Sequence, residues 1–302
     1  MSNQHSGHSH SYSTVSRPLI IALAIVIVVM IAEVIGGILS NSMALLSDAG
    51  HMLTDALALG LSLVAIIIAR RPSTPTKTYG YLRAEIMAAL ANGTILVLIS
   101  LYIFFEAYQR FFEPAVINTP LMLLVATIGL IANLAGMLLL RRASHGNLNA
   151  RAAYWHILGD TISSVGVIIA GVIILITGWY VVDAIIAVII GGIILGGAVR
   201  IVKESADILL EAVPIHIQID RVIDAVKSVQ GVEDLHDIHI WTITSGIYAI
   251  SAHLCIENQT VSRGAEIVTM VNQALAQNFN ITHATLQLEC GTCPTGLICN
   301  LP

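Results

Sequence analysis

Charge is what this sequence most lacks. Of its 302 residues 11% are Asp, Glu, Lys or Arg against 56% hydrophobic, and the mean hydropathy is +0.83. Soluble globular domains carry about 25% charged residues, so the composition excludes an ordinary soluble fold and marks an integral membrane protein. The net charge of −5 decides little, because the charges are few and unevenly placed. Cysteine is missing until Cys255; Cys290, Cys293 and Cys299 follow it near the end. That pattern reads as metal or redox chemistry rather than as a disulfide framework. A cleavable signal peptide is also missing, since the first sixteen residues are polar and the apolar run after Arg17 is long enough to span. So is His-Glu-x-x-His, the helical signature of a zinc protease.

What the chain does contain is six apolar segments, near 18–39, 42–69, 84–111, 119–140, 152–177 and 181–203. Each reaches or exceeds the ~20 residues that cross a bilayer. The connections after the second and fourth segments hold the basic residues Arg70, Arg71, Lys77, Arg83, Arg141, Arg142 and Arg151, while Arg17 precedes the first segment and Arg200 and Lys203 end the last. Only Arg110 falls toward the other side. By the positive-inside rule, both termini face the cytoplasm. The polar interruptions Glu33, Asp48, Asn92, Glu106 and Asn133 are expected to face the bundle interior and hydrogen-bond between helices. Gly36, Gly37, Gly60, Gly166, Gly171, Gly191, Gly192, Gly196 and Gly197 are expected to allow close helix approach.

Two of these segments carry a His-x-x-x-Asp step: His51 to Asp55, and His156 to Asp160. Residues four apart lie one turn apart on the same helix face. Imidazole nitrogen and carboxylate oxygen both suit Zn²⁺, which prefers four ligands in a tetrahedron. Two half-sites therefore make one complete site between two helices. Ionisable groups at membrane depth cost several kcal/mol unless paired, and they mark a path or relay. The three-span offset sets the two helices in opposite directions, as in the inverted repeats of transporters. Asp48, three residues before His51, is a candidate to orient a ligand or pass a proton.

Residues 1–16 read as a disordered tail that contains His5, His8 and His10. The span domain is expected over 17–205, a small cytoplasmic domain over 206–289, and a Cys-containing tail over 290–302. Within the small domain, helices are expected at 217–229 and 261–279, and strands at 233–244, 247–256 and 282–289, with a hairpin at Ser245-Gly246. The order α-β-β-α-β suggests an α+β domain with its helices on one face of the sheet. His236, His239, His253, His283 and Glu289 fall on these strands. Strand parity puts His236 and His239 on opposite faces, so in a regular strand they do not serve one site. Cys290 and Cys293 form a C-x-x-C with no helix following, which fits soft-metal binding better than a thioredoxin-like centre.

The stretch LLSDAGHMLTD at 45–55, the step His156 to Asp160, and the tail motif HDIHIW at 236–241 resemble the cation diffusion facilitator family over nearly the whole chain. Two His-Asp pairs resemble its zinc-preferring branch. The short loop RRASHGNLN at 141–149, where eukaryotic relatives carry a long His-rich segment, points to a bacterial-type protein of the inner membrane. The resemblance implies an all-α six-helix transmembrane bundle with a ferredoxin-like cytoplasmic domain, working as a homodimer in the lipid bilayer. It implies proton-coupled export of Zn²⁺ by alternating access. It also implies tail zinc ligands at His236, His253 and Glu289. Cys290 and Cys293 would join His8 and His10 of the neighbouring protomer, and Arg83 with Glu211 would form a charged interlock. No nucleic acid is expected as a partner.

Two rivals belong to other classes. An intramembrane zinc enzyme needs an open coordination position for water, which four protein ligands would fill. A membrane-anchored zinc sensor would place the work in the tail, and paired ligands at membrane depth argue against it.

Overall fold

In the computed structural model, the described residues are 17–69, 71–143 and 148–290, with the side chains of Asp55 and His156, among others, outside the description. His8, His10, Cys293 and Cys299 lie outside it altogether. Six long helices come first: α1 (Arg17–Ser40), α2 (Met43–Ala69), α3 (Ala84–Phe112), α4 (Thr119–Ala143), α5 (Leu148–Thr177) and α6 (Val181–Leu209). Among the described residues, four stretches are long and apolar enough to cross a membrane: Ala84–Phe112, Thr119–Leu138, Ile157–Thr177 and Val181–Leu209. Ala24–Ser40 of α1 is a shorter apolar helix. Large apolar side chains such as Ile35, Tyr102, Leu138, Ile162 and Ile193 point outward, while Glu33, Asp48, Asn133 and Asp160 are buried. That inside-out distribution fits a hydrocarbon solvent.

The chain divides into two compact units: Met1–Leu57 with Ile95–Gly197, and Ala58–Thr94 with Ala198–Pro302. In the first, α4 packs against α1 and α5. Gly36 lets α1 approach α4 so closely that a Cβ there would meet the Val125 methyls at 2.7 and 2.8 Å. Gly37, Gly171 and Gly191 are similarly crowded, whereas Gly60, Gly166, Gly192, Gly196 and Gly197 have nothing within 4 Å among the described residues. The close-approach expectation therefore holds for four of the nine.

The α1–α2 turn puts Asn41 in the left-handed region (φ 59°), which Asn tolerates. Arg110 secures it, donating to the Asn41 carbonyl at 2.6 Å and to its Oδ1 at 2.8 Å. A second clamp is buried. Asp183 of α6 accepts hydrogen bonds from Ser42 Oγ, from Met43 N at 2.6 Å and from Ala44 N at 3.1 Å. The two amides are orphan donors at the start of α2, capped here by an acid from another helix.

The tail domain runs α7 (Ile219–Lys227), β1 (Val232–Thr244), β2 (Ile247–Ile256), α8 (Val261–Phe279) and β3 (Ile281–Glu289). The sheet order is β1-β2-β3, with β1–β2 antiparallel and β2–β3 parallel. Ile267, Val271 and Leu275 of α8 recur at helical spacing and bury against Leu235, Ile238, Ile240, Ile250 and Leu254. Gly246 turns the hairpin with φ +75°.

In β1 the core residues run Leu235, Ile238, Ile240, so one residue is inserted after Leu235. The register agrees: His236 pairs with His253, and His239 with Ser251. This is a β-bulge at Asp237, whose φ is +49°. The bulge overturns the parity expectation, because it returns His236 and His239 to the same, helix-free face.

Candidate metal centres

In the membrane helices, His51 Nε2 of α2 stands 3.7 Å from Asp160 Oδ1 of α5. Asp160 is 1% exposed and His51 28%. Beside them runs a polar chain through three helices: Asn133 of α4 donates to Ser164 Oγ of α5 at 3.5 Å, and Ser164 donates to Asp48 Oδ2 of α2 at 3.3 Å. Asp48 thus lies one hydrogen bond from α5, on the helix that carries His51. The other polar interruptions behave differently. Glu106 pairs with Arg110 one turn along its own helix, at 3.0 Å. Both carboxylate oxygens of the fully buried Glu33, and Asn92 Oδ1, have no hydrogen-bond partner among the described residues. Among the described residues, no bond between helices is seen at the Glu106 and Glu33 carboxylates or at Asn92 Oδ1.

In the tail, the helix-free face of the sheet brings His236, His253 and Glu289 together, with one ligand atom from each lying within 4.8 Å of the others. His236 Nε2 meets Glu289 Oε2 at 3.0 Å, and His253 Nδ1 meets Glu289 Oε1 at 2.9 Å. The Gln287 amide donates to Glu289 Oε1 at 2.9 Å. That bond first, helped by His236 and by the charge of His253, holds the Glu289 carboxyl below its ordinary range. Two imidazoles and a ready carboxylate are a donor set that fits Zn²⁺. Cys290, next in sequence, is an exposed free thiol with its sulfur 3.9 Å from the Glu257 carbonyl. Cys255 is buried and disulfide-bonded, which departs from the expectation that the cysteines serve metal or redox chemistry and not disulfides.

Other tail contacts reach the segment before α3 and the first turn of that helix. Arg83 donates to Glu211 at 2.8 Å, and Glu85 accepts from Thr244 at 2.7 Å and Ser245 at 2.8 Å. Tyr79 OH lies 3.3 Å from His283 Nε2. Sequence reasoning missed Asp183, Glu85 and Asp237. Only Asp237 carried a local signal, as one of the few residue types that enter the left-handed region.

The cation efflux transmembrane domain matches residues 19–210, and the cytoplasmic domain of cation efflux proteins matches 214–290. A cadmium, cobalt and zinc/H(+)-K(+) antiporter of Bacillus subtilis is 39% identical, covering 94% of this chain and 92% of its own. The metal cation efflux system protein CzcD of Cupriavidus metallidurans is 41% identical, covering 95% and 91%. The zinc transporter ZitB of Escherichia coli is 36% identical, covering 95% and 93%. The chain belongs to the cation diffusion facilitator family: it is a multi-pass membrane transporter that exports divalent metal cations as a homodimer, and not an enzyme.

Proposed function

We propose that the chain exports Zn²⁺ from the cytoplasm in exchange for protons, with His51, Asp55, His156 and Asp160 as the ligands that carry it between α2 and α5. The observation that supports this most is the approach of His51 Nε2 to Asp160 Oδ1 at 3.7 Å. Bonds of roughly 2.0–2.2 Å in a tetrahedron space neighbouring ligand atoms about 3.4 Å apart, so a shift of a few tenths of an ångström admits the ion. Asp55 and His156, four residues from each on the same faces, complete the count.

Proton exchange follows from the ligand chemistry. Metal binding requires deprotonated ligands, so loading releases protons. Imidazole titrates near pH ~6.5, and its protonation on the outward side weakens the site and releases the ion. Asp48, reached through Ser164, offers a proton path beside the ligands. Two of the relatives are named for zinc and one of these for H(+)-K(+) antiport. Cadmium and cobalt stand in the same name.

In this reading the membrane domain is 17–205, the tail 206–289, and both termini face the cytoplasm of a bacterial inner membrane. His236, His253 and Glu289 hold a resident zinc. Cys290 and Cys293 form a further centre with His8 and His10 of the neighbouring protomer. Arg83 with Glu211 ties the segment before α3 to the end of α6.

Zinc flux into proteoliposomes, followed by a lumenal fluorescent reporter under an imposed pH gradient, tests the proposal. The flux should follow the gradient and collapse when a protonophore dissipates it. Asp160→Ala should abolish the flux, and a wild-type rate from that variant would remove the four-ligand site. Flux indifferent to the gradient would leave metal export standing and remove the proton coupling.

A further inference from the structure

Of the two imidazoles that face Glu289, His236 and His253, only His253 has a second carboxylate behind it among the described residues. His253 turns Nδ1 to Glu289 Oε1 at 2.9 Å and Nε2 to Asp237 Oδ2 at 3.7 Å. His236 turns Nε2 to Glu289, while its buried Nδ1 has no hydrogen-bond partner among the described residues. Asp237 owes its place to the bulge, where a left-handed backbone and a register shift interrupt the ladder between His236 and His239. Its other oxygen, Oδ1, meets His239 Nε2 at 3.1 Å. The carboxylate is therefore held from one side by His239 and presented to His253 on the other.

We propose that Asp237 is a positioning residue of the tail metal centre, fixing the His253 ring through Nε2 so that Nδ1 faces the ion shared with His236 and Glu289. The inference rests on the tail-zinc reading given above. A metal-bound histidine usually donates its other N–H to a carboxylate or carbonyl, which sets the tautomer, orients the ring and raises its basicity. At 3.7 Å the contact is longer than a hydrogen bond of about 2.7–3.2 Å, so the ring gains that bond only as it settles into the coordinating orientation. The bulge thus has a chemical use. In a regular strand, the residue after His236 would point into the core among Leu235 and Ile238, where a carboxylate has no place.

The test uses the full-length protein in detergent with Asp160→Ala and Cys290→Ser added, which disable the membrane site and the proposed cysteine centre. Zinc affinity is read by competition with a chromophoric chelator. Asp237→Gly keeps the left-handed backbone and removes the carboxylate, so it should weaken binding by roughly 10–100-fold. Asp237→Asn tolerates the same backbone and keeps an acceptor oxygen, so it should recover most of that loss. Unchanged affinity in Asp237→Gly would overturn the inference. So would an Asn variant as weak as the Gly variant, because the loss would then belong to charge and not to ring orientation. X-ray absorption at the zinc edge should count two imidazoles at the tail centre with or without Asp237. A third imidazole that vanishes in His239→Ala would make the bulge a ligand set and also overturn it. If the parent with Asp160→Ala and Cys290→Ser binds no tail zinc, the tail-zinc reading itself fails and takes this inference with it.

Discussion

Between α2 and α5, His51 Nε2 and Asp160 Oδ1 stand 3.7 Å apart, whereas across the tail sheet His236 and His253 grip the two oxygens of Glu289 at 3.0 and 2.9 Å. The donor atoms are alike, and the scaffolds are not. Helix hydrogen bonds close within each helix, so two helices can shift relative to one another at the expense of side-chain packing alone. Strand hydrogen bonds run between neighbours, so His236, His253 and Glu289 cannot separate without breaking the ladder that joins β1, β2 and β3. A site strung between helices suits an ion that must leave, and a site laid across a sheet suits an ion that stays.

Substitutions can sharpen that contrast or break it. The largest effect is expected from Glu289→Gln, which removes the anion both imidazoles face. Tail zinc affinity should fall at least ~100-fold, more than the loss of an outer partner, while zinc flux falls far less. An equal loss of flux, measured in the same proteoliposomes, would mean that the tail ion is required for carriage. Next is Gly36→Ala, whose new methyl meets the stiff Val125 side chain at under 3 Å. Overpacking of this kind costs about 1–3 kcal/mol and should lower the melting temperature of the helical bundle without altering tail zinc binding. Gly60→Ala, with nothing within 4 Å among the described residues, is the control and should be neutral or slightly stabilising.

The smallest effect concerns acid. Lys227 Nζ lies 2.7 Å from Asp234 Oδ1, and this bond first, then the Leu235 amide, holds the Asp234 carboxyl below its usual range. A depressed carboxyl stabilises the fold above its unfolded value of about 3.9 and loses that contribution as pH falls through the folded one. The pair is about half exposed, so screening keeps the amount below about 1 kcal/mol. Asp234→Asn should therefore narrow the difference in tail melting temperature between pH 7 and pH 3 by a small amount. No narrowing would show that the pair adds nothing to the sheet.

Most of the helical architecture was legible because hydropathy and a 3.6-residue period act locally. The chain order of the strands and the β1–β2 hairpin followed from alternation and the Ser245-Gly246 turn, whereas the parallel pairing of β3 with β2 was not read from the sequence. Where reading failed, the cause lay outside the local pattern. The apolar run of α6 ends near Lys203, yet the helix continues to Leu209, with Arg200 and Glu204 paired one turn apart at 2.9 Å. Polarity ended the pattern there without ending the helix. The parity argument for His236 and His239 assumed a regular strand, and a single left-handed residue at Asp237 undid it. Asp183 was invisible for another reason: its partners, Ser42, Met43 and Ala44, lie about 140 residues away in sequence, and no spacing rule reaches that far. Of the proposed membrane ligands, spacing paired each His with its Asp, and the fold added the approach of His51 to Asp160.

That Asp183 clamp also bears on mechanics. It fastens the first turn of α2 by three hydrogen bonds to one carboxylate, and further along the same helix Asp48 accepts a single bond from Ser164 of α5. A rod fastened at one end pivots; it does not slide. His51 sits eight residues along from Met43, about 12 Å of helix at 1.5 Å per residue. A swing of about 10° around that fulcrum carries His51 sideways by about 2 Å, the length of one zinc–nitrogen bond. With its fulcrum at the buried aspartate, such a swing would set the proposed ligands downstream on the arm of a lever.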